Sequence, residues 1–305
     1  MKNTALALFN LLLICISCNN TNDIIPPITE EPTETTNIHT IDFSSVTGVS
    51  EIEDFDIEND VMYFIFNKSI YSINLNANTS AIEQIIEDTT DWPASLKVIN
   101  NILYYQGNSA WSESTNIKQI DLNNVSAGVQ STNAIIGISR SQLCKNADKI
   151  VYISSPDGFS PTNNFYELNQ SATDKKIATD TFVLPKNMRV IDHYLYFSSQ
   201  KEIRKLDLNN PTEESIIIYT VPTILNGSDN DGEVIGFDIY NGIIYFSQVS
   251  SNKLLAKDLE KPYEAPTTLK TNNNEGETGY GKIIISNGKL YAKKIIDKQI
   301  EVFEI

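Results

Sequence analysis

The feature that most constrains this chain is a short strand-like phrase, an apolar residue followed by tyrosine and a second apolar or aromatic residue, which occurs six times. The six tyrosines are Tyr63, Tyr104, Tyr152, Tyr196, Tyr245 and Tyr291, spaced 41 to 49 residues apart. A period of this length, built of short strands, is typical of one propeller blade. The repeat therefore predicts a ring of six similar units rather than two ordinary domains in a chain of 305 residues.

Each copy of the repeat has the same internal order of strands and turns. A first strand ends in a turn rich in Asn and Asp, as at Asn241-Gly242 and Asn287-Gly288, where a type I′ hairpin requires positive φ. The tyrosine strand follows, then a third strand such as the one starting at Ile203, and in most copies a fourth apolar strand. We therefore expect an all-β, six-bladed β-propeller over residues 38–305, with four antiparallel strands per blade.

The sixth copy ends at Ile305, after its third strand, so its blade is one strand short. Upstream of the first copy lies an unassigned strand-like segment, IHTIDF, from Ile38 to Phe43. We predict that this segment pairs with the third strand of the last blade and closes the ring, because that pairing removes two free sheet edges. The alternative is an ordinary leader segment.

Two phrases of the repeat, YFS at Tyr196 and I-x-K-x-D-L at Ile203, resemble the YWTD propellers of low-density-lipoprotein receptors and the related bacterial NHL-like propellers. The resemblance covers about residues 38–305 and implies a six-bladed architecture. The Trp and Asp of YWTD are replaced, since Phe197-Ser198-Ser199 follows Tyr196. The inter-blade aspartate hydrogen bonds of the receptor propellers are therefore not assumed, and the six tyrosines are interpreted as residues that pack the blades.

The net charge of the protein limits the classes of macromolecule that it can bind. The formal net charge is −16 and the isoelectric point is near 4.5. Binding of nucleic acid is not expected, because the phosphate backbone is recognised by a basic surface. We expect an acidic, globular and monomeric propeller.

The first eighteen residues, MKNTALALFNLLLICISC, read as a signal peptide, since their apolar run is too short to span a membrane. Ser17 directly before Cys18 resembles the lipobox of bacterial lipoproteins, which implies a lipid on Cys18 and an outer-membrane location in the bacterial cell envelope. Simple secretion is the alternative. Residues 19–37 are rich in Asn, Thr, Pro and Glu and are interpreted as a flexible tether.

The sequence contains no recognisable catalytic or zinc-binding motif. Its two histidines, His39 and His193, belong to no HExxH pattern, and neither a G-x-S-x-G elbow nor a P-loop is present. Cys144 is left without a partner once Cys15 and Cys18 are assigned to the signal peptide, and we interpret it as a small buried hydrophobic residue. No cofactor is expected.

One acidic segment, SDNDGEVIGFD (228–238), partly matches the spacing of a calcium loop. Its candidate ligands are Asp229, Asp231, Glu233 and Asp238. One carboxylate of the full pattern is missing, so the alternative is a hydrated acidic turn. A calcium site here would be weak.

The longest connections between second and third strands lie in blades two and three, at 106–116 and 154–164. Trp111 and Phe159 lie in these connections, and Trp92 lies in the segment leading into blade two. Aromatic residues on long loops over a rigid scaffold are typical of a binding site. The alternative is that they cap the ends of the blades.

Two functions follow from these patterns. The first is a non-enzymatic binding or scaffold propeller, tethered to the envelope, for a protein, a peptide or a glycan at the Trp92, Trp111 and Phe159 face. The second is a calcium-dependent hydrolase or lactonase of the six-bladed type. Such sites need acidic residues from several inner strands, and the sequence offers Asp54, Asp56 and Asp238 there, with mostly apolar residues elsewhere.

Overall fold

The computed structural model describes residues 37–46, 52–76, 81–87, 93–107, 115–136, 143–154, 163–169, 173–180, 185–223, 232–272, 279–295 and 298–305, called the described residues below. They form six antiparallel sheets of four strands each. The predicted signal peptide (1–18) and all but the last residue of the predicted tether (19–37) lie outside the described residues, and Asn37 begins the strand Asn37–Asp42. Within the described ranges, no helix has the length and hydropathy needed to span a membrane.

The blades are numbered along the chain, and the first strand of each lies innermost. Blade 1 comprises β2 (Phe55–Glu58), β3 (Val61–Phe66), β4 (Ser69–Asn74) and β5 (Ile82–Glu87). Blade 2 comprises β6 (Pro93–Ile99), β7 (Ile102–Gly107), β8 (Thr115–Asp121) and β9 (Gln130–Ile136), with one 3-10 turn at Val125–Ala127. Blade 3 comprises β10 (Cys144–Asn146), β11 (Lys149–Ser154), β12 (Asn163–Glu167) and β13 (Lys175–Asp180).

The second half of the chain repeats this pattern. Blade 4 comprises β14 (Lys186–Ile191), β15 (Tyr194–Ser199), β16 (Glu202–Asp207) and β17 (Ile216–Thr220). Blade 5 comprises β18 (Val234–Tyr240), β19 (Ile243–Gln248), β20 (Lys253–Asp258) and β21 (Thr267–Thr271). Blade 6 comprises β22 (Tyr280–Ser286), β23 (Lys289–Lys294), β24 (Gln299–Glu304) and β1 (Asn37–Asp42).

The predicted ring closure is confirmed. Strand β1 pairs antiparallel with β24, with Ile41 opposite Ile300, and it supplies the outer strand that blade 6 otherwise lacks. The innermost strands contact one another in cyclic order, and β22 returns to β2. The chain is therefore a closed six-bladed β-propeller, as predicted from the repeat.

The turns between first and second strands have the predicted left-handed backbone. Asn100 and Asn101 have φ of 53° and 62°, and Asn241 and Gly242 have φ of 49° and 76°. Two adjacent residues with positive φ match the right-handed twist of the flanking strands. These turns lie together at one end of the ring, which we call the turn face; the opposite end, where the innermost strands begin, is the loop face.

The core consists of six apolar layers, each between two successive blades. Most of the repeat tyrosines pack in the layer between their own blade and the next one, as Tyr104 does between blades 2 and 3 and Tyr245 between blades 5 and 6. The packing role predicted for them is confirmed.

Blade 3 departs from the sequence alignment. Tyr152 packs towards blade 2, while its neighbours Val151 and Ile153 pack towards blade 4. A shift of one residue moves every side chain of a strand to the opposite face. Blade 3, whose innermost strand β10 has only three residues, is therefore one residue out of register with the other copies of the repeat.

Candidate functional site

The central channel is lined by charged side chains from all six innermost strands. In four blades the charged residue stands directly opposite the repeat tyrosine, as shown by the pairs Asp56 with Tyr63, Lys97 with Tyr104, Arg189 with Tyr196 and Asp238 with Tyr245. In blade 6 that position is Ile284, opposite Tyr291, and the cation is Lys282, two residues earlier, within the register irregularity between Tyr280 and Ile283. Blade 3 contributes Lys145, opposite Ile150.

These side chains form ion pairs between blades. Asp56 of blade 1 lies 2.7 Å from the Nζ of Lys145 and 3.6 Å from the Nζ of Lys97. Asp54 of the same blade pairs with Lys282 of blade 6. Asp238 of blade 5 and Arg189 of blade 4 form a bidentate contact. Arg189 donates from Nε to Oδ1 of Asp238 at 2.7 Å and from Nη2 to Oδ2. Such bidentate pairs are the strongest arginine–carboxylate geometry.

The carboxylates also bind the backbone of the next blade. The donors and N···O distances are Leu96 N to Asp54 at 2.8 Å, Val98 N to Asp56 at 2.9 Å, and Ile285 N to Asp238 at 2.7 Å. Each of these aspartates therefore connects two neighbouring innermost strands. Inter-blade aspartate bonds are present after all, from the innermost strand and not from a YWTD position.

The channel network divides into a buried part and a half-buried part. The side chains of Asp56, Asp238 and Lys97 are 1, 2 and 4% exposed, whereas those of Arg189, Lys145 and Lys282 are 23, 25 and 22% exposed. The cost of burying these charges is offset only when each one is paired and hydrogen-bonded. Asp54, Asp56 and Asp238 all meet that condition, since each has a cation partner and a backbone N–H donor.

Burial and neighbouring charge shift two of these groups strongly. Burial on its own would raise the pKa of Asp56, but the charges of Lys97, Lys145 and Lys282 lower it to about 2. Burial lowers the pKa of Lys282, and the charge of Lys97 lowers it further, to about 7, although Asp54 and Asp56 act in the opposite direction. Lys97 also loses hydration on burial, but Asp56 and Asp54 raise its pKa. The four cations Lys97, Lys145, Arg189 and Lys282 outnumber the three carboxylates by one, and Lys282, with its lowered pKa, is the cation that loses its proton most readily.

At the turn face the channel opens into a pocket of about 260 Å³. Lys145, Arg189 and Asp238 supply its charged wall, and Val190, Ile239 and Ile285 are among its apolar residues. The pocket lies at the ends of the innermost strands of blades 3 to 6. A concave site with an apolar wall and a few convergent polar groups is the usual form of a small-ligand site.

The predicted site residues fall into two groups. Trp92, Trp111, Phe159, Asp229, Asp231 and Cys18 lie outside the described residues, so the aromatic face, the lipid and most of the calcium loop stay predictions. Glu233 is described and lies 3.4 Å from the Nζ of Lys186. Asp238 lies in the channel network, bound by Arg189 and two backbone N–H groups. Within the described ranges, no three His, Cys, Asp or Glu side chains are grouped closely enough to hold a metal ion.

The expectation of mostly apolar inner strands was wrong in one respect. Val98 and Ile284 are apolar and buried between blades, but the inner-strand cations Lys97, Lys145, Arg189 and Lys282 were not predicted. The available signal was the position opposite each repeat tyrosine, which is charged in four blades. Cys144 was predicted correctly, since it is fully buried and burial raises the pKa of its thiol to about 12.

No protein-family model and no curated protein matches the sequence. Several solved structures match the fold. A catalytically inactive virginiamycin B lyase from Staphylococcus aureus, in complex with quinupristin, is 8% identical over 88% of this chain and 98% of its own, with a TM-score of 0.58. A Bacteroides thetaiotaomicron protein of unknown function is 11% identical over 89% and 73%, with a TM-score of 0.57. A chain of the nidogen/laminin complex is 12% identical over 80% and 93%, with a TM-score of 0.53. These likenesses concern the fold alone.

Proposed function

We propose that this chain is a non-enzymatic binding or scaffold propeller of the bacterial cell envelope, held on the outer membrane by a lipid on Cys18. Its partner would be an envelope protein, a peptide or a glycan. The observation that carries the proposal is that the inner-strand carboxylates Asp54, Asp56 and Asp238 are neutralised by the protein's own cations.

The same observation weighs against the calcium-dependent hydrolase or lactonase. Calcium takes six to eight oxygen ligands and needs carboxylates that are free to turn towards it. Asp56 is already bound by Lys145 and by the N–H of Val98, and Asp238 by the guanidinium of Arg189 and the N–H of Ile285. A calcium ion in the channel would have to displace ammonium and guanidinium groups that are fixed to other blades.

The construction of the ring suits a scaffold. Carboxylate bonds between innermost strands and six apolar inter-blade layers connect the blades into one frame. Binding residues are most often carried on loops that such a frame positions. Among the connections between second and third strands, those of blades 2 and 3 are the longest, and in the sequence they carry Trp111 and Phe159.

The similar structures are compatible with a binding propeller and also with the alternative, a calcium-dependent hydrolase or lactonase. One of them is a chain of the nidogen/laminin complex, which supports protein binding by this fold in general. Another is a lyase, so the fold also serves enzymes. The paired channel charges, rather than the likenesses, are the reason to prefer a binding function.

The proposal is tested by screening the purified full-length protein against peptide and glycan arrays, together with a Trp92→Ala/Trp111→Ala double variant. Tyr263→Ala is the matched control, because Tyr263 is fully exposed and lies between β20 and β21. We expect specific binding by the wild type and the control, and its loss in the double variant. Undiminished binding by the double variant, or calcium-dependent hydrolysis of a lactone or ester, would contradict the proposal.

A further inference from the structure

The charged lining of the pocket at the turn face consists of two cations, Lys145 and Arg189, and one carboxylate, Asp238. Asp56 and Asp238 are almost fully buried, whereas the Lys145 and Arg189 side chains that cover them are about a quarter exposed. Lys145 and Arg189 both line the pocket. The pocket therefore presents positive groups to a ligand, although the protein as a whole is strongly acidic.

Lys145 and Arg189 each have an N–H donor that is not used by the described residues. Lys145 uses two of its three N–H bonds, one to Asp56 at 2.7 Å and one to the carbonyl oxygen of Ile57 at 3.2 Å. Arg189 binds Asp238 through Nε and Nη2. Among the described residues, none accepts a hydrogen bond from its Nη1 group. Two charged donors thus converge on one pocket.

The channel network is not neutral when all its groups are ionised. Its four cations are Lys97, Lys145, Arg189 and Lys282, and its three carboxylates are Asp54, Asp56 and Asp238, which leaves one excess positive charge. An unbalanced charge in a low-dielectric interior is costly. It is removed when Lys282, which does not line the turn-face pocket, loses its proton, so an anion in the pocket is bound by the donors of Lys145 and Arg189 and not by this excess charge.

The apolar part of the wall includes Val190, Ile239 and Ile285, while Asp238, Tyr240 and Asn287 add polar groups. The apolar residues of the wall favour a ligand with a hydrocarbon body over a free phosphate, and the spare donors, from one lysine and one arginine, match the two oxygens of a single carboxylate. A ligand of about this pocket's 260 Å³ would be small.

We propose that the turn-face pocket binds a monocarboxylate with an apolar body, its carboxylate against Lys145 and Arg189 and its hydrocarbon part against Val190, Ile239 and Ile285. The carboxylate belongs either to a free organic acid or to the C-terminus of a peptide whose last side chain is apolar. This site lies at the opposite end of the ring from the C-terminal ends of β7 and β11, and goes beyond the proposed partner-binding function.

The test is calorimetric titration of the full-length protein with hexanoate, with hexanol as the neutral control and with an acetylated Gly-Gly-Leu tripeptide as the second carboxylate source. We expect saturable binding of a carboxylate probe and none of hexanol. Tighter binding of the tripeptide would identify a chain terminus as the ligand, and tighter binding of hexanoate a free acid. Equal heats for hexanoate and hexanol, or no binding of either carboxylate, would overturn the proposal.

Two variants separate the pocket from general charge effects. Lys145→Met should weaken binding roughly tenfold or more, because a charge-assisted hydrogen bond is lost. Lys149→Met is the matched control, an exposed lysine of the same blade, and should leave the affinity unchanged. If Lys145→Met does not fold, Arg189→Lys keeps a cation beside Asp238 but removes the guanidinium fork, and should also weaken binding. Unchanged affinity in the folded pocket variant would refute the site.

Discussion

Lys282 of blade 6 and Asp54 of blade 1 form an ion pair across the seam at which the ring closes. The two residues are 228 positions apart in the chain. At the same seam, β1 pairs with β24, and the ring centroids of Phe43 and Phe64 lie 4.6 Å apart. The closure therefore combines a strand pairing, an aromatic contact and a charge pair in the channel.

The aromatic part of the seam gives the first prediction. Phe43 is fully buried and packs on Phe64, so Phe43→Ala should lower the free energy of unfolding by about 3–5 kcal/mol. Urea denaturation measures the change. Ser45→Ala, at an exposed position two residues later, should have little effect. Equal stability of the two variants would mean that the closing segment contributes little to the ring.

Asp56 is predicted to be the channel residue least tolerant of change. Asp56→Asn would leave Lys97 and Lys145 without their shared carboxylate, and breaking a buried pair in this way costs about 3–5 kcal/mol. The control is Glu264→Gln, which removes an exposed partner of Lys261 and should cost less than about 1 kcal/mol. A loss below about 1 kcal/mol in Asp56→Asn, measured by urea unfolding, would show that the network is not a structural element.

Stability should rise with pH above neutrality because of Lys282. Its pKa is about 7 in the folded protein and 10.5 as the ordinary value. Between these values the unfolded chain binds more protons than the folded chain, so the free energy of unfolding rises by at most about 1.4 kcal/mol per pH unit. Below about pH 7 the contribution is constant, because the lysine is then charged in both states.

The measurement is a series of urea unfolding curves from pH 7 to about pH 9, below the range in which tyrosines titrate. Lys282→Met should flatten the slope, and Lys253→Met, at an exposed lysine of blade 5, should leave it unchanged. A wild-type slope of zero, or an equal slope in Lys282→Met, would contradict the lowered pKa of Lys282.

The sequence predicted most of the fold because the fold depends on local signals that are repeated. Turn residues such as Asn241-Gly242 indicated where each hairpin turns. The alternation of side chains around each tyrosine indicated which residues face each inter-blade layer. The error in blade 3 has a physical cause: Val151, Tyr152 and Ile153 are all large and apolar enough to face either layer, so pattern alone did not fix the register there.

The channel network was not predictable from strand patterns. A lysine in a strand, such as Lys97, normally indicates a solvent-exposed face, but an innermost propeller strand is enclosed on both faces. The charge is tolerated only because Asp56, on another blade, lies beside it. Such pairs join residues far apart in the sequence, and their partners become apparent only when the ring is assembled.

The proposed membrane anchor makes a separate prediction. Cys18→Ser should remove the lipid and release the protein from the membrane fraction, as judged by cell fractionation and by mass spectrometry of the N-terminal peptide. Cys15→Ser is the control and should remain anchored, because Cys15 lies within the segment predicted to be removed. Retention of Cys18→Ser in the membrane, or release of both variants, would refute a lipid on Cys18.

The most direct test of a binding propeller, as opposed to a calcium enzyme, is the melting temperature of the full-length protein in millimolar calcium and in chelator. The carboxylates of the channel are held by lysine and arginine, so we predict the same melting temperature in both, within about 1 °C. A calcium site filled at about 100 times its Kd would add about 2.7 kcal/mol, equivalent to several degrees in a protein of this size. A rise of that magnitude would contradict the account and indicate a metal-organised site.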